Sequence, residues 1–313
     1  MKRSLRRGMT LLDLLVAIAL IIFLSAAMLP AQNRNRETAN RVRCGSNLRQ
    51  IGQALMLYAN ENNGNYPRTK YDPKSDKINA YTGYDSKNPF EKDGGPEVND
   101  VTTPLYLLLR TQDLVPGVFV CPSTEKRGID FGIKAKAKDG GPSTRPAARP
   151  ATQSSYQEPD PAIVAAIQVH SNFPDNRSLD YSIHNPYFSE KAIDAGSRWT
   201  NTLKADFALA GDMNPGSPEL LKLNATAGWR ELQAANSANH QRVGQNILYG
   251  DLHVEFLQTP FAGVEQENIY TYGASGKDNG GEGIIGSTTG ANDSVLLPTV
   301  EQGKAKEGGE GQK

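Results

Sequence analysis

Residues 1–36 read MKRSLRRGMTLLDLLVAIALIIFLSAAMLPAQNRNR, and this stretch decides how the rest of the chain is organised. Four basic side chains, at positions 2, 3, 6 and 7, precede an apolar run from Met9 to Leu29 that only Thr10, Asp13 and Ser25 interrupt. As a helix, a run of this length spans roughly 30 Å, about one hydrocarbon core. The basic flank predicts insertion into a membrane with the N-terminus in the cytoplasm.

Two kinds of processing fit this segment. Ser25, Ala26 and Ala27 offer the small residues at which a secretory signal is cut. Asp13 has no place in the apolar core of such a signal, and an unpaired carboxylate near the end of an intramembrane helix costs a few kcal/mol. We therefore expect the helix to be retained and Asp13 to have a partner, and release after Ala27 stays open as an alternative.

The segment that follows predicts an amphipathic continuation of the helix over residues 30–60. Pro30 removes one helical hydrogen bond, so a kink is expected there. Spacings of four and three form an apolar stripe made of Cys44, Leu48, Ile51, Leu55 and Tyr58. The sequence NENNGNYP, ending at Pro67, predicts that the helix stops near residue 60 and packs its striped face on a globular domain.

Short apolar runs predict that this domain, residues 61–272, is of α+β class. TPLYLLLRTQDLV (103–115) is typical of a buried helix, and GVFVC (117–121) of an extended segment. Strands are predicted at DYSIH (180–184), FALAG (207–211), NILYG (246–250) and HVEFL (253–257). Gly250 and Asp251 fit a two-residue type II′ hairpin turn between the last two. We expect an antiparallel sheet laid against the N-terminal helix.

The amino-acid composition predicts long loops and argues against nucleic acid as a partner. Thirty-four basic and 34 acidic side chains leave a formal net charge of zero, so no global field favours nucleic acid. Residues 68–100 and 132–160 are polar and lack apolar periodicity, which predicts loops or partly disordered insertions. Residues 273–313 form a glycine-rich tail predicted to be partly disordered, with VLLP (295–298) returning to the body as an anchored strip.

The segment GMTLLDLLVAIALI (8–21) resembles the processing signal of type IV pilins and type II secretion pseudopilins. The resemblance implies cleavage after Gly8 by a prepilin peptidase and N-methylation of Met9. It also implies that Asp13, the fifth residue counted from Met9, pairs with the terminal amine of a neighbouring subunit in a filament. The family usually has glutamate there, so aspartate is a departure that bears on how closely subunits pack.

Further segments resemble one bacterial group of pilin-like proteins, which carries a C-terminal motif of histidine, nine residues, aspartate and glycine. They are CGSNLRQIGQALMLYANENNGNYP, VFVCPS, SLDYSIHN, ALAGDMNP and DSVLLP, distributed over most of the chain. Here ten residues separate His240 from Asp251, and Leu252 stands where glycine is expected. Either one residue is inserted in the loop after His240, or the turn is shifted so that Gly250 takes the special backbone conformation.

Metal binding is the first chemistry to weigh. His240, Asp251 and His253 offer imidazole and carboxylate ligands of the kind that zinc accepts. Some secretion pseudopilins bind calcium, but calcium needs six to eight oxygens and the sequence has no Asp-rich EF-type loop. We expect instead a turn carboxylate and a histidine bonded to backbone, and no cofactor.

The two cysteines leave two states open. Cys44 and Cys121 lie too far apart in sequence for a CxxC signature. They fit one disulfide in an exported protein, and they fit two buried thiols equally well.

The functional hypotheses follow from the N-terminal segment. No G-x-S-x-G elbow, HExxH or phosphate-binding glycine loop is present, so we expect no enzyme. The first hypothesis is a pilin-like subunit of a pilus or secretion pseudopilus, anchored in the inner membrane with its globular domain outside the cytoplasm. Its partners are the prepilin peptidase, other pilin subunits and the membrane. The second is a monomeric anchored binding protein with an aromatic groove near His184 and Trp199, and the third an exported hydrolase released near Ala27.

Overall fold

The longest element, helix α1, runs from Leu11 to Glu61 over 51 residues and is helical through position 30. The computed structural model describes residues 11–124, 126, 128–129, 131, 160–273, 276 and 280–302, without the side chains of Asp13 and residues 24–35. Gly64 follows the helix with a φ of +81° and donates its N–H to the carbonyl of Ala59 at 2.8 Å. The predicted helix and its stop near residue 60 are confirmed.

The two halves of α1 have different surroundings. Cys44, Leu48, Ile51 and Leu55 are fully buried, as their spacing predicts. In the first turns the large apolar side chains are instead exposed, from 82% at Leu11 to 49% at Ile18. A search of the described residues for an apolar helix of membrane-spanning length finds none.

A five-stranded antiparallel sheet lies against the buried half of α1. Its strands are β1 (Tyr181–His184), β2 (Ala208–Asp212), β3 (Gln245–Tyr249), β4 (Val254–Leu257) and β5 (Leu296–Leu297). The spatial order is β4-β3-β2-β1-β5. The four strands predicted from sequence are confirmed, and so is the α+β class. VLLP returns to the body as predicted, because Leu297 pairs with Ile183 of β1.

Both faces of this sheet are covered. Leu209 and Leu248 face the core that contains the stripe of α1, whereas Ala208, Ile247 and Tyr249 pack on the other side. This alternation along β2 and β3 follows from the two-residue period of a strand. Helix α1 contacts β2, β3 and β4, so its inner half forms one wall of the core.

The described part of the body has four shorter α-helices: α2 (Thr103–Thr111), α3 (Pro161–Val169), α4 (Glu190–Asp194) and α5 (Trp229–Ala235). Helix α2 was predicted, and its buried leucines pack on α1. The extended segment predicted at GVFVC is wrong, because Pro116–Phe119 forms a 3₁₀ turn. Proline has the φ that starts such a turn, and Val118 donates its N–H to the carbonyl of Val115 at 3.0 Å.

The loop over residues 68–100 is ordered by hydrogen bonds rather than by helix or strand. Asp100 is fully buried, and its carboxylate accepts the backbone N–H groups of Thr82 at 2.8 Å and Thr102 at 2.9 Å. Asn172 adds a side-chain N–H at 2.9 Å from outside the loop. The polar composition that predicted a loop therefore supplies the groups that fix it.

The boundary predicted at residue 273 lies inside the body. Val295, Leu296 and Leu297 are fully buried, and Thr299 forms a bridge with Asn214. The high glycine content that predicted a tail reflects turns in this region. The short apolar strip at residues 295–297 is sufficient to add strand β5 to the sheet. Residues 303–313, with most of the predicted disordered end, lie outside the described residues, and so do residues 132–159.

Candidate functional site

A buried cluster of chemically active side chains lies where α1 meets the sheet. Cys44 comes from α1, Cys121 follows the 3₁₀ turn, Asp212 ends β2 and His240 ends a second 3₁₀ turn, Ala238–His240. One ligand-type atom from each of these four buried residues lies within 4.8 Å of the others. Within the described ranges, no other group of three or more such residues gathers in this way.

Cys44 and Cys121 form a disulfide, with their Cα atoms 5.5 Å apart. Of the two states left open by the sequence, this is the one present. The bond joins the helix stripe to the segment that follows the 3₁₀ turn Pro116–Phe119. Cys121 is held at that end by Asp180, whose carboxylate accepts the backbone N–H of Cys121 at 2.9 Å.

His240 lies between two carboxylates from opposite sides. Its Nδ1 is 2.7 Å from Oε1 of Glu37 on α1, and its Nε2 is 3.3 Å from Oδ2 of Asp212. Burial acts to lower the pKa of His240, but the hydrogen bonds and charges of Asp212 and Glu37 together outweigh it and raise that pKa above its usual value. When it is protonated, His240 is thus an ionic link between the helix and the sheet.

Both carboxylates are held in place by further donors. Ser123 donates its hydroxyl to Oε2 of Glu37 at 2.9 Å. The backbone N–H of Asn246 donates to Oδ2 of Asp212 at 2.7 Å, and the side chain of Asn239 donates to Oδ1 at 3.2 Å. The cluster is therefore supported from the helix, from β3 and from the turn that carries His240.

The trio His240, Asp251 and His253 is not assembled as one site. Asp251 accepts the backbone N–H of His253 at 3.0 Å and the two side chains pair at 2.5 Å, about half exposed at the β3–β4 turn. The ring of His253 stacks on Tyr249. Asp251 is the turn carboxylate that we expected. The rings of His240 and His253 both pair with carboxylates, in place of the hydrogen bond to the backbone that we expected of a histidine here.

The hairpin between β3 and β4 corrects the predicted two-residue turn. Its loop has three residues, because the N–H of Tyr249 bonds the carbonyl of His253 at 3.0 Å and Leu252 bonds back to Tyr249 at 2.9 Å. Leu252, where the motif has glycine, takes the left-handed conformation with a φ of +71°. Gly250 does not, and its lack of a side chain serves a close approach instead: a Cβ there would lie 2.1 Å from the carbonyl oxygen of Lys204.

The loop after His240 agrees with the other explanation of the altered motif. Gln241 and Arg242 are both left-handed, with φ of 56° and 60°. Two consecutive non-glycine residues in this region mark an irregular excursion of the backbone. This excursion lies directly beside the cluster, because it follows His240.

A separate cavity of about 460 Å³ opens beside the end of α1. Tyr66 and Trp199 lie in its wall with their ring centroids 4.8 Å apart, and Arg68 and Arg198 add two cations. The groove predicted near His184 and Trp199 is found in part. Trp199 lines it, but His184 lies behind in the core, fully buried against Phe207.

The sequence analysis missed Glu37, Asp180 and Asp212 as parts of the cluster. Glu37 could have been found, since positions 37, 41, 44 and 48 continue the helical stripe by steps of four and three. Gly8 and Met9, and the side chain of Asp13, lie outside the described residues.

The chain was compared with protein-family models, with curated proteins and with solved structures, and none of the three comparisons gives a match.

Proposed function

We propose that this chain is a membrane-anchored pilin-like subunit, cut after Gly8 by a prepilin peptidase and assembled through α1 into a pilus or type II secretion-like filament. The observation that carries the proposal is the division of α1. One half belongs to the core of the body, and the other presents apolar side chains that nothing in the described chain covers, among them Leu11, Leu15 and Phe23.

An apolar surface of this extent needs a cover, because soluble monomers rarely expose large contiguous apolar patches. A bilayer covers it before assembly, and the helices of neighbouring subunits cover it in a filament. The same helix then serves both states without refolding. The basic residues at positions 2, 3, 6 and 7 orient it with the body outside the cytoplasm, where a disulfide such as Cys44–Cys121 persists.

Asp13 sets the register in this proposal. Its carboxylate pairs with the terminal amine of Met9 in a neighbouring subunit, since either charge alone would be costly among apolar helices. Extraction from the bilayer falls to an external motor.

The test is an Asp13→Ala variant expressed in the native membrane, with Asp13→Glu beside it and Asp76→Ala, an exposed acid of the body, as the matched control. Asp13→Ala should still be cut, giving a methylated Met9 by N-terminal sequencing and intact mass. It should give few or no filaments, while Asp13→Glu and Asp76→Ala assemble. Normal filaments from Asp13→Ala contradict the pairing, and a mature start after Ala27 contradicts the processing and favours a released hydrolase.

A monomeric anchored binding protein is the second candidate, favoured by the cavity beside Tyr66 and Trp199. Two aromatic rings and two guanidinium groups suit a ligand that has both planar and anionic parts. Cysteines placed one at a time along positions 16–29 separate the candidates. Ladders of helix-to-helix crosslinks support the filament, and their absence under expressing conditions supports a lone anchor.

A further inference from the structure

We propose that reduction of the Cys44–Cys121 disulfide turns the cluster at the helix–sheet junction into a tetrahedral site for one zinc ion, with Cys44, Cys121, His240 and Asp212 as ligands. The inference is independent of filament assembly, since it concerns side chains inside the body only.

The distances between the ligand atoms carry the proposal. Bonds of 2.0 to 2.3 Å to a tetrahedral zinc place neighbouring ligand atoms roughly 3.3 to 3.7 Å apart. Oδ2 of Asp212 already lies 3.3 Å from Nε2 of His240, and Sγ of Cys121 lies 3.7 Å from the same nitrogen. The two sulfurs, which are bonded to each other, have to separate, and the side-chain amide of Asn246, 3.1 Å from Nε2 of His240, has to move aside.

The outer hydrogen bonds are those that a zinc histidine uses. Nδ1 of His240 faces Glu37 at 2.7 Å, so its N–H can donate there while Nε2 exchanges its contact with the side-chain amide of Asn246, at 3.1 Å, for the metal. Asp212 keeps the backbone N–H of Asn246 as a donor at 2.7 Å. Every ligand is buried, and two thiolates with one imidazole select zinc over calcium or magnesium.

The reaction balances with an external dithiol as reductant. The dithiol gives two electrons and two protons to the disulfide, becomes a disulfide itself and leaves two thiols at Cys44 and Cys121. Zinc then displaces both thiol protons, and the proton on Nε2 of His240 leaves to solvent. The ion replaces the covalent link between α1 and the body by a coordinated one.

The experiment uses the full chain purified in detergent and freed of metal. Zinc chloride is added to the oxidised form and to a form reduced with a non-thiol phosphine, and bound zinc is counted by mass spectrometry after desalting. One zinc per chain is expected in the reduced form and none in the oxidised form. Cobalt(II) added to the reduced form should give thiolate charge-transfer absorption with tetrahedral visible bands. Equal zinc in both forms, or cobalt without thiolate absorption, overturns the proposal.

Two variants assign the ligands, with far-UV circular dichroism recorded first to establish folding. Asp212→Asn keeps the shape of the side chain and one acceptor oxygen but loses the charge, so it should weaken zinc binding at least tenfold and change the visible cobalt bands. His253→Asn, at the exposed hairpin, is the matched control and should bind as the parent does. If Asp212→Asn binds zinc with unchanged affinity and an unchanged cobalt spectrum, the assigned site is wrong. The Cys44→Ser, Cys121→Ser double variant should lose the thiolate absorption altogether, and retention of that absorption refutes the two sulfur ligands.

Discussion

The two halves of α1 are one helix with two different tasks. In the outer half, Leu15 is 62% exposed, and in the inner half Leu48 is fully buried in the core. Both halves carry large apolar side chains, but the inner half also carries charged ones such as Arg41 and Arg49. What separates them is the stripe: the inner half alternates apolar and polar positions with a helical period, whereas the outer half is apolar nearly all round. A helix with one apolar stripe can bury that stripe on the body of its own chain. A helix that is apolar all round needs a further apolar partner, such as a membrane or another helix.

A charged side chain, Glu37, stands where α1 passes from its exposed outer half to its buried inner half. Glu37 is the first described residue of α1 whose side chain bonds the body, through His240 and Ser123. The disulfide at Cys44 follows two turns later. The comparison predicts that changes beyond this point affect the stability of the body and that changes before it do not.

Acid should have the largest effect on the free energy of unfolding, because it destabilises the whole body on which the inner half of α1 packs. Burial among aromatic rings lowers the pKa of His184 to about 3, against 6.5 in an unfolded chain. The unfolded state therefore binds more protons between these values. The contribution of His184 is complete above pH 6.5 and is lost as pH falls, by up to about 1.4 kcal/mol per pH unit.

Denaturant unfolding at several pH values, followed by tryptophan fluorescence, measures this dependence. His184→Asn keeps an acceptor for the N–H of Val295 and removes the titration, so its stability should fall less steeply with acid. His253→Asn, at the exposed hairpin, should behave as the parent. An unchanged slope in His184→Asn would exclude this histidine as the cause.

Leu48→Ala and Leu15→Ala break the comparison directly. Removing the buried side chain of Leu48 should lower the free energy of unfolding by about 2–5 kcal/mol, because a cavity remains between α1 and the sheet. Leu15→Ala should change it by less than about 0.5 kcal/mol. Denaturant unfolding in detergent measures both. Equal losses would mean that the outer half also packs on the body.

Glu37→Gln tests the contact between Glu37 of α1 and His240, and its expected effect on stability is smaller than that of Leu48→Ala. The amide keeps a hydrogen-bonding oxygen but loses the charge that faces His240, so we expect a loss of about 1–2 kcal/mol at neutral pH. Glu61→Gln, an exposed acid at the end of the same helix, should cost less than about 0.5 kcal/mol. A loss at Glu37 no larger than the loss at Glu61 would reduce the ionic link to an ordinary surface contact.

The smallest effect is expected at Leu252, in the hairpin that packs beside the inner half. Glycine should be about 1 kcal/mol more stable there than alanine, because a left-handed residue with a Cβ is strained. Against leucine itself the gain is offset, since the Leu252 side chain packs on the core close to Gly52. Comparing Leu252→Gly with Leu252→Ala by denaturant unfolding isolates the backbone contribution, and a more stable alanine variant would contradict it.

Local pattern was sufficient for most of the fold. The stripe of α1, the leucines of α2 and the short apolar runs of β1 to β4 are local signals, so each of these elements could be predicted alone. The 3₁₀ turn at Pro116–Phe119 was missed because an apolar run was weighed above the proline that starts it. The three-residue hairpin was missed because Gly250 serves a close approach to Lys204 rather than a turn type.

The cluster could not be predicted in the same way. Its four residues stand at positions 44, 121, 212 and 240, on four separate segments that only the tertiary fold brings together, with Glu37 beside them. Sequence reasoning grouped His240 with Asp251 and His253 because they are neighbours along the chain. The fold separates them, since the hairpin carries Asp251 and His253 to the exposed turn while His240 stays under α1.

The disulfide also determines where mechanical load would pass. A pull on the outer end of α1 reaches Cys44 and crosses to Cys121 through a covalent bond. From there, Asp180 passes it to β1, which lies between β2 and the edge strand β5. The 76 residues between the two cysteines, with the last turns of α1, the loop over 68–100 and α2, form a bypassed ring that carries little tension. A subunit drawn out of a membrane by its helix would thus be held through a covalent cross-link rather than through packing alone, and its loop-rich part would carry little of the load.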